Sequence, residues 1–288
     1  SSPETGQEEQ TNNQNEDKGL PPVAPPSGKH IAQLFLVPGL IVAAIVLFLI
    51  AAQWIFGVRY TAEKFLEDLS SSSMQVRWRA ANDLSQILPR DSTMASHPEL
   101  AITLAQRLKA SLLEADKAEK EWKEELARVG GDESKADKDK FKRVMLLRGF
   151  NHYLIACLGH FHVPAGIGIL SEIVIDDKNA DQVLTQRRRS NAVLALGQLG
   201  QQAQNFFNLT PARQNEVLTQ LEQLEKKPEK GKEELVELAG FCHALLKRSK
   251  KGYRITSEKV QGALSVAATG TDPQIRHHAA IALGFWNG

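Results

Sequence analysis

The sequence predicts an all-α chain: a right-handed α-solenoid of about five helix pairs that follows one transmembrane helix. Three observations predict it. LFLVPGLIVAAIVLFLIAAQWIFG, residues 34–57, is an apolar run whose only polar side chain is Gln53. Residues 61–288 show no strand-like alternation and read as amphipathic helices separated by short Gly, Pro, Ser and Asp breaks. Three segments of that region also align with one another without gaps.

Residues 1–30, SSPETGQEEQTNNQNEDKGLPPVAPPSGKH, are rich in Glu, Gln and Asn and then in Pro. They hold too little apolar surface to offset the entropy of ordering, so a disordered tail is expected. The apolar run exceeds the roughly 20 residues that cross a bilayer core at about 1.5 Å per residue. Lys29 and His30 flank one end, and Trp54, Arg59 and Tyr60 flank the other, as interfacial anchors do. Pro38-Gly39 lies near the start, where a missing N–H matters least. A cleaved signal peptide fits poorly: an acidic segment precedes the run, the run is too long, and no A-x-A site follows. A single-pass anchor over 31–58 is therefore expected, with Gly39 and Ala43 as a small-xxx-small pair able to support a homo-oligomer. Lys18 and Lys29 precede it, whereas Arg59, Lys64, Arg77 and Arg79 follow it. That bias predicts a cytoplasmic C-terminal domain, with the exported side as the alternative.

After the anchor, helices are predicted near 61–70, 74–88, 97–128, 138–161, 164–175, 181–199, 211–225, 232–248, 257–268 and 272–286. The repeated segments are VRWRAANDLS (76–85), RRSNAVLALG (188–197) and IRHHAAIALG (275–284). Each carries arginine at its second position: Arg77, Arg189 and Arg276. Each carries small or apolar residues at the fifth and sixth, and leucine at the ninth: Leu84, Leu196 and Leu283. FNHYLIACLG (150–159) is a weaker copy with Asn151 in place of the arginine. Gly159 to Gly197 is one period of about 40 residues, and Gly197 to Gly284 about two. The spacing therefore puts EELVELAGFCHALL (233–246) between them as a degenerate unit.

These segments resemble HEAT repeats. VRWRAA and DPQIRHHAAIALG resemble the short variety found in phycobilisome-lyase-like proteins, whose second helix reads Asp-Pro-x-Val-Arg-x-x-Ala-Ala-x-Ala-Leu-Gly. Asp272, Pro273, Ile275, Arg276, Ala279, Ala280, Ala282, Leu283 and Gly284 follow that pattern, whereas the first copy has Ser72-Ser73 in place of Asp-Pro. The resemblance implies stacked helix pairs with a concave protein-binding surface. Alanines permit close helix approach, and leucines fill the layer between helices. Asp272 is expected to cap its helix beside Arg276, and Arg77, Arg189 and Arg276 to be structural.

Residues 114–143 depart from the repeat. They are dense in alternating charge, with Asp116–Lys120 and Glu119–Lys123 at i,i+4 spacing, and predict a solvated hairpin turning at Gly130-Gly131. Trp122 is the candidate anchor for a partner on this arm. Arg187 and Arg188 complete a basic triplet with Arg189 and are candidates for meeting anionic lipid or an acidic partner.

Little else points to chemistry. Net charge is +1, which gives no argument for nucleic acid. Cys157 and Cys242 lie in apolar runs without CxxC spacing and read as buried thiols. There is no His-Glu pair or HExxH, and His277-His278 point about 100° apart on a helix. Gly166-Ile-Gly168 lacks the lysine of a phosphate loop, and Asn208-Leu-Thr210 has the glycosylation form but is followed by Pro211. No cofactor is expected. The function expected is a non-catalytic, membrane-anchored scaffold that binds a protein partner. The lyase-like repeats suggest the alternative, an accessory lyase or chaperone-like enzyme acting on a cofactor- or pigment-binding protein.

Overall fold

The computed structural model describes residues 36–49, 60–176, 183–226, 233–249 and 255–286, and its regular structure is helical throughout. The chain divides into two compact units, Ser1–Arg59 and Tyr60–Gly288.

In the first unit, residues 36–49 form helix α1, exposed along its whole length. Among the described residues no helix is long and apolar enough to cross a membrane. Gln53, Trp54, Arg59 and the tail 1–30 lie outside the described residues.

The second unit comprises α2 (Ala62–Leu69), α3 (Met74–Ile87), α4 (Ser92–Ala95), α5 (Pro98–Arg128), α6 (Lys138–Gly159), α7 (Ile167–Ile175), α8 (Val183–Asn205), α9 (Pro211–Glu225), α10 (Glu233–Arg248), α11 (Glu258–Thr269) and α12 (Pro273–Trp286). Local chemistry sets many of the starts. Thr61, Asp91, His97, Asp137, Thr210 and Asp272 each accept a backbone N–H of the following first turn, and Pro98 and Pro211 occupy first-turn positions where no donor is needed.

The repeated segments sit on α3, α8 and α12, and the weaker copy sits on α6. These four helices pack in succession: α3 on α6, α6 on α8, α8 on α12. Each also packs on the helix before it, so α2, α5, α7 and α11 form the partners of α3, α6, α8 and α12. Ala80, Ala81, Leu84, Ala192, Val193, Leu196, Ala279 and Ala282 are buried between the helices. The recurring glycine permits close crossing. A Cβ on Gly159 would stand 3.1 Å from the Ala195 backbone, and one on Gly197 would stand 3.2 Å from Ala282 Cβ.

That second approach corrects the place of the degenerate unit. The spacing predicts EELVELAGFCHALL between α8 and α12, but those helices touch directly and leave no room. Its helix, α10, pairs instead with α9, and both lean on α5. They bury Val217, Leu221, Ala239, Cys242 and Leu246.

The repeat arginines have a definite task. Arg189 Nε donates to the Val174 carbonyl at 3.1 Å, on the last turn of α7. Arg276 Nη1 donates to the carbonyls of Gly270 (3.0 Å) and Thr271 (2.8 Å), just past α11. Each guanidinium thus serves carbonyls left open where the preceding helix ends. Asp272 Oδ1 takes the N–H groups of Gln274 and Ile275 at the start of α12. Arg77 is turned differently: it pairs with Glu114 of α5 at 3.6 Å and stands 5.8 Å over the Phe150 ring.

Past the level of Glu114, α5 and α6 continue as a hairpin with a small core of Ala115, Ala118, Val144 and Leu147. Its turn uses Gly130 and Gly131 at φ +67° and +82°, a region open chiefly to glycine. Trp122 is half-buried, 5.3 Å from the Phe141 ring. Glu125 receives Arg128 at 2.6 Å and Lys140 at 3.1 Å, and these two partners hold its carboxyl down at about 2.

Candidate functional site

A cavity of about 300 Å³ opens along α6, between α3 on one side and α8 on the other. Four of its lining residues, Trp78, His152, Tyr153 and Asn191, hold the third or fourth position of the repeat. The third and fourth positions are Trp78 and Arg79 on α3, His152 and Tyr153 on α6, Ser190 and Asn191 on α8, and His277 and His278 on α12. The fifth and sixth positions turn into the helical layers in α3, α6 and α8, and on α12 the fifth, Ala279, does so. The third and fourth therefore face outward in register from helix to helix.

Successive helices are joined through these positions. The Trp78 and Tyr153 rings meet edge-on at 5.5 Å. Asn191 Nδ2 donates to His152 Nδ1 at 2.9 Å, which leaves the imidazole proton on Nε2. Ser190 Oγ lies 3.3 Å from His278 Nδ1. Burial, and secondarily the charge of Arg187, pushes the His152 pKa down, which favours the neutral imidazole that accepts from Asn191. The Trp78 indole lies flush over Gly149, where an added Cβ would come within 2.6 Å of Nε1.

The far wall is charged. Glu119 of α5 accepts Arg148 Nε at 3.1 Å and lies 3.9 Å from Arg188 Nη2. Arg188 Nη1 also reaches Asp116 at 3.4 Å. Asp116 and Glu119 thus turn across to arginines of α6 and α8, beyond the local i,i+4 pairing that their spacing predicts. Arg187 lines the same cavity, is exposed, and forms no ion pair among the described residues.

The structure separates the sequence-predicted partner residues. Arg187 and Arg188 lie together at the cavity, whereas Trp122 belongs to the hairpin and packs against Phe141. Trp78, Tyr153, Arg148, Glu119 and Asn191 are site residues that the sequence reasoning passed over. For Trp78, Tyr153 and Asn191 the signal was present, because residues that vary inside an otherwise repeated frame mark the face the frame leaves free; Arg148 and Glu119 lie outside the repeated segments.

A second hollow of about 400 Å³ lies among α5, α7 and α10, with Ile167, Ile169, Leu238 and Phe241 in its walls. Its lysines are already paired, Lys109 with Glu234 at 2.8 Å and Lys259 with Glu172 at 2.9 Å. Among the described residues no group of three or more His, Cys, Asp or Glu side chains converges to hold a metal ion. The His277 and His278 rings stand 6.0 Å apart. No protein-family model, curated protein or solved structure matches this chain.

Proposed function

We propose that this chain is a membrane-tethered scaffold. In this reading its HEAT-like helix pairs form a short right-handed α-solenoid that binds a segment of a protein partner in the groove along α6. The observation that carries the reading is the outward register of the third and fourth repeat positions. They carry aromatic and hydrogen-bonding groups on α3, α6, α8 and α12, and four of them, Trp78, His152, Tyr153 and Asn191, line the cavity. Stacked helix pairs bind extended ligands on such faces.

The apolar run that contains α1 supports the tether. Its exposed side chains need a covering that water does not provide, and a bilayer supplies one. Tethering confines the scaffold to two dimensions and raises its effective concentration near membrane partners. The arginines that follow the run support a cytoplasmic domain.

The test is a photo-crosslinking residue at Met145, on the groove rim, and another at Thr219 on α9, in cells with intact membranes. A discrete protein adduct from Met145 that is absent from Thr219 is the expected result. No adduct at Met145, the same adducts from both sites, or a bound chromophore in the purified chain would overturn the reading.

A further inference from the structure

The groove has a charge character of its own. Arg148, Arg187 and Arg188 line it, against Glu119 alone among the lining carboxylates. Arg148 spends Nε on Glu119, and its Nη1 finds only the Met145 sulfur at 4.0 Å. Arg187 makes no ion pair among the described residues. A guanidinium has five donors, so Arg148 and Arg187 keep N–H groups with no protein oxygen acceptor among the described residues. Guanidinium donors beside an apolar wall match a carboxylate carried on a chain with apolar side chains.

The geometry points to an extended acidic peptide segment as the occupant, with Glu119 as its built-in competitor. This rests on the groove being the partner site and adds the chemistry of the partner. Helix axes pack 8–10 Å apart, so α3 to α8 across α6 is roughly 16–20 Å, or about five to six extended residues. Trp78 on α3 begins that path, Tyr153 and Arg148 stand on α6 in its middle, and Arg187 and Arg188 on α8 end it. The segment lays an apolar or aromatic side chain on the Trp78–Tyr153 edge. It sets Asp or Glu carboxylates against Arg187 and the free edges of Arg148 and Arg188. Glu119, with 15% of its side chain exposed, already occupies the inner edge of both paired arginines. It offsets part of the arginine charge when the site is empty and lowers its affinity when a carboxylate arrives. A small anion fills one end of this path and leaves the aromatic end bare, which is why a peptide is the occupant.

The experiment uses the full chain in detergent and a fluorescent eight-residue peptide of alternating Glu and Leu, read by anisotropy. The controls are the Gln–Leu and Lys–Leu peptides, inorganic phosphate as competitor, and vesicles containing phosphatidylserine. The Glu peptide is expected to bind at least about tenfold tighter than the Gln peptide, and more weakly as salt rises from 50 to 300 mM (chosen conditions, spanning about one Debye-length halving). Arg187→Gln weakens it about fivefold or more without altering the thermal melt. Glu119→Gln tightens it severalfold, because the internal competitor is gone. Asp116→Asn, which removes only the outer partner of Arg188, does the same to a smaller degree. Equal binding of the Glu and Gln peptides, weaker binding by the Glu119→Gln chain when it melts normally, or no peptide binding at all overturns the inference. Full displacement of the peptide by phosphate, or tighter association with the vesicles than with the peptide, overturns it in favour of a small anion or a lipid surface. A Met145 adduct that persists while these fail leaves the groove reading standing; loss of that adduct removes the groove reading itself.

Discussion

Arg189 on α8 donates its Nε to the carbonyl of Val174, 3.1 Å away on the last turn of α7. Asn151 occupies the same repeat position on α6, and its amide meets the Ser111 carbonyl at the longer distance of 3.5 Å. The difference follows from the partner helix. α7 ends beside Arg189 and leaves carbonyls open, whereas α5 runs on from Ser111 to Arg128. A mid-helix carbonyl is already bonded within the helix, so a charged guanidinium has nothing to cap and a short amide suffices. Arg189→Met should cost about 1–2 kcal/mol and Arg276→Met, more exposed, about 1 or less. Asn151→Arg should cost more than either, since Asn151 is buried and the new charge has no open carbonyl. Urea unfolding of the three variants gives the ranking directly; an Asn151→Arg chain as stable as the parent would refute the capping account.

Much of the fold was legible in the sequence because its helices announce their own limits. Asp137, Thr210-Pro211 and Asp272-Pro273 are capping signals, and the helices begin beside them. The four-residue α4 was missed although Asp91 caps it, because one turn is too short to show a period. α10 was misplaced for a different reason. A repeat interval counts residues along the chain, while the Gly197–Ala282 approach is a fact of space. The groove was the least legible part. Asp116 and Glu119 sit at good local pairing distances from lysines, and only tertiary packing brings Arg148 and Arg188 closer. Trp122, the candidate docking anchor of the charged segment, packs against the hairpin's small core and stays half exposed.

Trp286 closes the helix row against α8. Its Nε1 donates to the Leu196 carbonyl at 2.8 Å, and the residue is fully buried. The indole lies against Gly200, where a Cβ would be 2.7 Å from Nε1 and 2.9 Å from Cε2. A rigid ring with a fixed hydrogen bond cannot yield that much, so Gly200→Ala should destabilise by about 1–3 kcal/mol despite raising helix propensity. Trp286→Phe removes both the donor and part of the ring, and should rescue Gly200→Ala in part. A thermodynamic cycle of the two variants measures this as positive coupling; additive costs would mean the contact is not tight.

Both thiols are silent in the folded chain. Cys157 and Cys242 are completely buried, and burial pushes both thiols far above the ordinary thiol range. Cys157 Sγ also sits 3.6 Å from the Ala81 carbonyl, toward which its proton points. The native chain should therefore react with neither Ellman's reagent nor iodoacetamide on the timescale of a free thiol, and should yield both thiols in denaturant. Rapid modification of either residue under native conditions would contradict the packing of α3 on α6 or of α10 on α9.

The acid limb of stability should be carried largely by His162. The residue is 6% exposed, its backbone N–H donates to the Ala95 carbonyl at 2.9 Å, and its Nδ1 lies 2.8 Å from Ser96 Oγ. Ser96 donates its own proton to the Ser92 carbonyl at 2.6 Å, so Nδ1 carries the hydrogen and Nε2 is bare. Charging the ring means protonating Nε2 inside the core, and burial lowers the pKa to about 4. The unfolded chain titrates near the ordinary value of about 6.5. Between the two values the unfolded state binds more protons, so stability is complete above about pH 6.5 and falls as the pH drops toward 4. Two to three pKa units correspond to a loss on the order of 3 kcal/mol. Burial lowers His97, His152 and His160 as well, and their smaller contributions carry the same sign. His162→Gln should lower stability at neutral pH yet flatten its pH dependence between 4 and 6.5, as read from urea midpoints at each pH. An unchanged slope in that variant would place the acid sensitivity elsewhere.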